Sequence, residues 1–370
     1  MDFQPNQQRD AGLTQLDVLC RLGLPEDSPA PHPHSAFTLR NRVIEHPEFA
    51  DAVRRLANAH LRFKRNGQAQ GLAFVGQSGS GKSTVLDYYT GKFPFQQHAT
   101  GRYMPVIRVL TPESPTVKSL AQAFLDAMEV PGADKGTGPE KTKRIIKYLC
   151  DCRVEVIAVD EFHHFFELGR STRDARAIAD WLKNLLSRCK VVMVLVGLPK
   201  SILVLNGSRQ LRRRFASAHY MKPFGYVTAE EQEVFQAVLE HLQSLLPCPC
   251  IDLDEPETAR QFYFASLGLI DYLIKILEGA VCRGGSGPKG KILLGDFAEA
   301  FREEVWSSCP DSLNPFVPGA MLRPLTQPNE PFEGWDDIEQ YVLSREAKAL
   351  AGKAKTKAKA KAKQGGSRHE

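Results

Sequence analysis

The sequence predicts an α/β P-loop fold: a parallel sheet flanked by helices, followed by a smaller helical domain. Three observations carry that expectation. Short apolar runs bounded by Gly or Pro alternate with helical patterns from about residue 41 to residue 225, as expected of strands buried on both faces of a parallel sheet. One of these runs leads straight into Gly76-Gln-Ser-Gly-Ser-Gly-Lys82-Ser83. After Pro223 the strand-like runs stop and helical patterns alone remain.

Taken in order, residues 1–40 are rich in Pro, Gln, Asp and His and read as a flexible arm. From Asn41, the residues Val43, Phe49, Val53, Leu56, Ala57 and Leu61 recur at helical spacing. Gly71–Val75 and Met104–Leu110 read as strands, Val117–Met128 and Thr142–Cys150 as helices. Val154–Val159 reads as a strand, Asp174–Cys189 as a helix, and Val191–Val196 as the most apolar strand. Thr228-x-x-Glu231 is a capping box that opens a helix running to about Leu246. Helices are expected again over Pro256–Leu267, Leu269–Cys282 and Asp296–Val305. The organisation expected is an arm (1–40), a nucleotide-binding α/β domain (41–225), a helical lid (226–309), a Pro-rich connector or wrapping extension (310–344) and a tail (345–370).

Composition narrows the class. The chain has 370 residues, with 48 Lys plus Arg against 43 Asp plus Glu, a formal charge of +5. Nine basic and two acidic residues fall between Arg345 and Glu370, so the tail carries +7 and the rest about −2. No run approaches the length of a membrane span, the N-terminus lacks a secretory pattern, and eight cysteines are too few for a disulfide scaffold. Cys150/Cys152 and Cys248/Cys250 read as reduced thiols rather than zinc ligands. A cytoplasmic protein is expected.

The segment Gly76–Ser83 fits G-x-x-x-x-G-K-[ST] in full, after a buried strand and at a helix start. In that setting Gly76, Gln77, Ser78, Gly79, Ser80 and Gly81 turn backbone N–H groups around phosphates, with Thr84 in the first helical turn behind them. Lys82 reaches the β- and γ-phosphates of ATP, and the Ser83 hydroxyl ligates Mg²⁺. Val156-Ile-Ala-Val-Asp160-Glu161 ends a buried strand in two carboxylates. If that strand neighbours the first, Asp160 holds the Mg²⁺ through water and Glu161 is general base for the attacking water. His163 and His164 read as polar packing near this site rather than as a metal pair. In Gln210-Leu-Arg212-Arg213-Arg214-Phe215, Arg214 is the first candidate for an arginine that reaches a neighbouring subunit's γ-phosphate.

With these residues in place the chain closely resembles the TniB/TnsC family of AAA+ ATPases that regulate transposition, over about residues 40 to 300. Asp160-Glu-Phe-His-His164 is the most family-specific segment. The resemblance implies an AAA+ ATPase that forms a ring or filament on double-stranded DNA in the ATP state. It also implies a link between a TniQ-type target-selection protein and a DDE transposase, hydrolysis that resets the assembly, and association with the bacterial nucleoid. By matching positions it assigns Lys82 and Ser83 to phosphate and Mg²⁺, Asp160 and Glu161 to the Walker B pair, and Arg214 to the finger.

Two departures stand out. Val196-Gly-Leu-Pro199 lacks the polar sensor usual after the fourth strand of that fold, and Ser266–Tyr272 lacks a second-sensor arginine. Hydrolysis is therefore expected to be slow or partner-stimulated. Other readings are a nucleotide-gated scaffold with little hydrolysis and another DNA-acting AAA+ ATPase of the initiator or loader kind. Lys118, Arg170, Arg173 and Arg176 are candidate contacts to DNA phosphates. The tail places six lysines at alternate positions from Lys353 to Lys363; it is expected to be disordered alone and to line up along phosphates when bound.

Overall fold

The computed structural model describes residues 37–334 apart from Asn41, Thr100, Ser114, 167–171, 203–204 and 206–208, and leaves out the side chains of 166 and 172–176. The expected arm up to Ala36 and the expected tail from Arg345 lie outside the described residues.

Helix α1 (Pro47–Asn66) begins at Pro47 rather than near Asn41. A residue before proline is pushed out of the helical region, and His46 is accordingly extended, at φ −123° and ψ 164°, with its side chain accepting from the Phe49 N–H. Gly67, at φ +65°, ends the helix in the left-handed conformation that glycine takes without strain. Strand β1 (Gly71–Val75) then feeds the Gly-rich loop and helix α2 (Lys82–Gly91). A short hairpin that the sequence did not signal, β2 (Gln96–His98) and β3 (Gly101–Tyr103), precedes β4 (Val106–Leu110) and α3 (Val117–Ala127). Helix α4 (Gly138–Asp151) starts before Thr142, because Thr137 and Glu140 form a capping box that recruits the Gly-Pro turn into the helix.

Strand β5 (Val156–Asp160), α5 (Thr172–Cys189), β6 (Val192–Gly197), the single-turn α6 (Arg209–Arg212) and β7 (His219–Tyr220) complete the sheet layer. The five strands lie in the order β4-β5-β6-β1-β7 and every pairing is parallel. Alternation explains the two covered faces. Met193 and Leu195 of β6 pack with Ile157, Phe124, Ile145, Leu182 and Leu185 on one side. Val192, Val194 and Val196 pack with Phe74, Phe49, Leu56 and Leu86 on the other. Strand β6 stands between β1 and β5, so the carboxylate-bearing strand is not the immediate neighbour of β1.

The helical unit follows as α7 (Ala229–Ser244), α8 (Pro256–Ser266), α9 (Ile270–Arg283) and α10 (Leu294–Glu304). Thr228 and Glu231 form the expected capping box. Its core joins Phe235, Phe262, Leu273, Phe297 and Phe301 with residues from both flanks: Leu39 and Ile44 before the sheet, and Phe316, Leu325 and Phe332 after α10. The Pro-rich stretch, as far as residue 334, therefore packs on the helical core. Proline bars helix and ladder there, yet leaves aromatic side chains free to bury, and buried Asn314 anchors the turn by donating to the Ala298 carbonyl at 2.9 Å. Leu39 and Ile44 thus pack in the helical core, whereas Val43 between them packs against the α/β layer. Among the described residues, no helix is long and apolar enough to cross a membrane.

His46 ties the two units together. It caps α1, and its ring meets Phe224 edge-on at 4.9 Å. Burial holds its pKa down at about 4. The unfolded chain, with an ordinary histidine, binds a proton between about pH 6.5 and pH 4 that the folded chain refuses. Stability therefore falls as pH drops through that window, by up to about 3 kcal/mol from this one group. Urea unfolding at pH 7 and pH 5 checks this: His46→Asn, which retains a capping acceptor, is expected to lose less stability between the two pH values than the wild type.

Candidate functional site

The site lies at the C-terminal ends of β1, β5 and β6, where open α/β sheets bind ligands. Gly76 is buried, and its N–H donates to the Gly197 carbonyl at 3.2 Å. A Cβ there would stand 2.4 Å from the Met221 carbonyl, so the loop's first position has no room for a side chain. Gly79 and Gly81 take φ of +78° and +83°, which glycine adopts without cost. Gln77 and Ser80 are buried and Ser78 is exposed. The Lys82 ammonium is turned into the loop, donating to the Gln77 carbonyl at 2.5 Å.

Helix α2 starts at Gly81 with no side-chain cap, so its first-turn N–H groups have no side-chain acceptor at the cap position. An uncapped helix start, a glycine cradle and an inward lysine together fit a nucleotide's phosphates. Burial lowers the pKa of Lys82 to about 8, against the pull of Glu161 and Asp160. Thr84 is half-buried in the first turn of α2.

Although β6 separates the strands, α2 carries Ser83 across to Asp160. The Ser83 Oγ donates to Asp160 Oδ2 at 3.1 Å. Asp160 is 1% exposed, and its Oδ1 accepts the Glu161 N–H at 2.8 Å. Thr111, one residue past β4, donates its hydroxyl to the Asp160 carbonyl at 2.6 Å. The hydroxyl and carboxylate are oxygen donors of the kind Mg²⁺ prefers, and they lie beside the lysine. The residues fit Mg·ATP.

Glu161 follows in a left-handed conformation, φ +54°, which is uncommon for a residue with a Cβ and is held here by its surroundings. Its Oε2 lies 3.2 Å from His163 Nδ1 and 3.8 Å from His164 Nε2. The two imidazoles stack at 4.6 Å. The three side chains are close enough to be a cation cluster, and the two imidazoles also hold the Glu161 carboxylate from one side.

Gly197, the last residue of β6, has no room for a side chain. A Cβ on Gly197 would stand 3.0 Å from the His163 backbone nitrogen and 2.5 Å from the Ser201 hydroxyl. Helix α9 meets the Gly-rich loop: the Asp271 N–H donates to the Gly79 carbonyl at 3.3 Å. The Asp271 carboxylate pairs with Arg40 at 3.2 Å and Lys275 at 2.9 Å.

Arg214 is not part of this cluster. Its carbonyl accepts the Gly71 N–H at 2.8 Å, which fixes it at the opposite end of β1, about 16 Å from the loop for a strand of this length. The side chains of Arg212, Arg213 and Arg214 are exposed. Arg214 could serve only another copy's phosphate. Of the DNA candidates, Lys118 is exposed and borders a groove of about 510 Å³ with Lys143, Trp181 and Arg188. Arg170 and the side chains of Arg173 and Arg176 fall outside the described residues.

Sequence reasoning missed Arg108, Thr111, Arg40 and Asp271. Arg108 had a signal, a single charge within Val106–Leu110. The others depend on tertiary packing and had none.

The fold is that of AAA+ ATPases. Cdc6p from Pyrobaculum aerophilum superposes with a TM-score of 0.55 at 12% identity, over 76% of this chain and 76% of that one. ORC1 from Aeropyrum pernix, solved in complex with DNA, gives 0.52 at 16% identity, over 72% and 68%. Aeropyrum pernix ORC2, solved as ADPNP and ADP complexes, gives 0.50 at 14%, over 77% and 72%. At such identities these similarities speak to fold alone. No curated protein matches the sequence. A family profile described as "Bacterial TniB protein" matches residues 35–223, a span that holds α1, the whole sheet, the Gly-rich loop and Asp160–His164. The chain belongs to the TniB family.

Proposed function

We propose that this chain is an ATP-dependent, DNA-binding regulator of transposition that assembles on target duplex DNA. In this reading it links a TniQ-type target-selection protein to a DDE transposase, and ATP hydrolysis resets the assembly. The observation that carries it is the meeting of Lys82, Ser83, Asp160 and Glu161 at one end of the sheet, in a chain of the TniB family. The DNA-bound and nucleotide-bound neighbours of similar fold support it by analogy.

Mg·ATP, when bound, supplies the triphosphate and the metal's charge. Lys82 and the N–H groups of residues 79–83 would bind the phosphates, and Ser83 and Asp160 would hold the metal. Glu161 orients water and takes up its proton. Arg214 from a second copy offsets the charge developing on the γ-phosphate, which makes assembly a condition for turnover. The His163 and His164 contacts to Glu161 and the absence of a side chain at residue 197 support slow, partner-stimulated hydrolysis. They equally favour a second reading, a nucleotide-gated scaffold with little turnover.

DNA contact in this reading is to phosphates, through Lys118 and its groove neighbours Lys143 and Arg188, with the lysine tail adding affinity but no sequence preference. Electron microscopy tests the assembly. Rings or filaments on linear duplex DNA are expected with ATP and not with ADP, and Arg214→Ala is expected to assemble but turn over poorly. Monomeric particles with ATP and DNA would overturn the reading.

A further inference from the structure

Strand β4 reads Val-Ile-Arg-Val-Leu. Four of its five residues are apolar and belong in the sheet; Arg108 does not, and the structure gives it a purpose. It faces Ala158 of β5 in the register, and Leu110 faces Asp160. The small Ala158 leaves space for a long side chain to run along the sheet towards Asp160. On the other side, Ser83 and Asp87 are four residues apart on α2 and so share a helix face.

These placements bring four side chains into one row. The Arg108 Nη2 donates to Asp160 Oδ2 at 2.5 Å, and its Nη1 contacts Asp87. The oxygen that Arg108 holds is also the one that accepts the Ser83 hydroxyl. A carboxylate offers about four acceptor positions. Three donors already use those of Asp160: Ser83, Arg108 and the Glu161 N–H. Asp160 is almost fully buried, whereas the side chain of Asp87 is 65% exposed.

We propose that Arg108 is a positioning residue for the metal side of the nucleotide site. With the site empty, its guanidinium neutralises the buried Asp160 carboxylate and keeps it aimed at Ser83. When a divalent cation is held at Ser83, two positive charges would compete for the same oxygen. Arg108 then gives up Asp160 and keeps Asp87, which it already touches, so the movement is a short one about an existing contact. A planar guanidinium can bridge two carboxylates in this way; an ammonium cannot reproduce the geometry. The inference rests on the ATP-binding reading for its setting, but one arm of its test needs no nucleotide.

Two measurements test it on the full-length protein, with Arg108→Gln and Asp87→Asn as variants. The first is the thermal midpoint without nucleotide, with and without millimolar MgCl₂. The wild type is expected to be nearly indifferent to Mg²⁺. Arg108→Gln is expected to melt lower and to be raised by Mg²⁺, because the cation replaces the missing charge beside Asp160. The second is the Mg²⁺ concentration giving half-maximal binding of a fluorescent ATP analogue. It is expected to fall at least fivefold in Arg108→Gln and to rise in Asp87→Asn, where Arg108 has lost its alternative partner.

An Arg108→Gln protein whose midpoint ignores Mg²⁺, or whose Mg²⁺ requirement is unchanged or higher, would overturn the proposal. If the wild type bound no ATP analogue, the functional reading would fail, while the midpoint arm would still decide the role of Arg108.

Discussion

Lys82→Ala is expected to leave no detectable saturation with ATP over the concentration range in which the wild type saturates, with only weak residual binding at higher concentrations. The side chain is buried and turned into the Gly-rich loop, where its ammonium meets the loop's own Gln77 carbonyl at 2.5 Å. Hydrogen bonds to charged groups are worth about 1.5–3 kcal/mol each. Losing contacts to two phosphates therefore weakens binding by about a hundredfold to about twenty-thousandfold. Calorimetric titration with Mg·ATP measures it directly.

The same titration has a pH signature. Burial lowers the pKa of Lys82 to about 8 in the empty site, and a bound polyanion pulls it back up. Wild-type affinity should accordingly decline as pH rises past about 8, with binding accompanied by proton uptake. The variant lacks this dependence. An affinity indifferent to pH between 7 and 9.5 would contradict the assignment of Lys82 to the phosphates.

Glu161→Gln separates binding from hydrolysis. Glutamine has the same shape and can still meet His163, but it cannot accept the proton of an attacking water. General-base catalysis contributes about 10²- to 10⁴-fold, so phosphate release, with DNA and any stimulating partner present, should fall by at least a hundredfold. ATP affinity should stay within about threefold, because Glu161 lies beyond the lysine and metal positions. Assembly on DNA should persist longer than in the wild type, since the resetting step is lost. Retention of the wild-type rate would remove Glu161 from the mechanism.

Both substitutions fall on residues that the sequence already marked, and the reason is physical. A phosphate loop needs glycines, a lysine and a hydroxyl within eight consecutive positions, so its chemistry is local and can be read as a word. The strand ending in Asp160-Glu161 is nearly as local. Four of the five strands of the parallel sheet were legible because they are buried and almost uniformly apolar, whereas the two-residue β7, His219–Tyr220, has no apolar run to mark it.

What escaped was whatever depends on long-range packing. The order that places β6 between β1 and β5 leaves no trace in periodicity. Nor does the capture of Leu39, Ile44 and Phe332 by the helical core, because the prolines around residues 310–331 mask the burial of the aromatics between them. Arg108 lies between these cases. An arginine in an apolar strand was visible as an oddity, but its two carboxylate partners come from a helix and a strand that sequence alone could not bring together. At Gly197 the backbone of His163 and the Ser201 hydroxyl leave no room for a Cβ, a constraint that comes from tertiary packing and not from the local sequence.

The central claim is that nucleotide held by residues 76–83 governs attachment to DNA. Fluorescence anisotropy of a labelled, arbitrary-sequence duplex, titrated with the full-length protein at fixed salt, tests it most directly. Tight binding is expected with Mg·ATP, at least tenfold weaker binding with ADP or no nucleotide, and loss of the ATP effect in Lys82→Ala. Equal affinity with ATP, with ADP and without nucleotide would contradict the account.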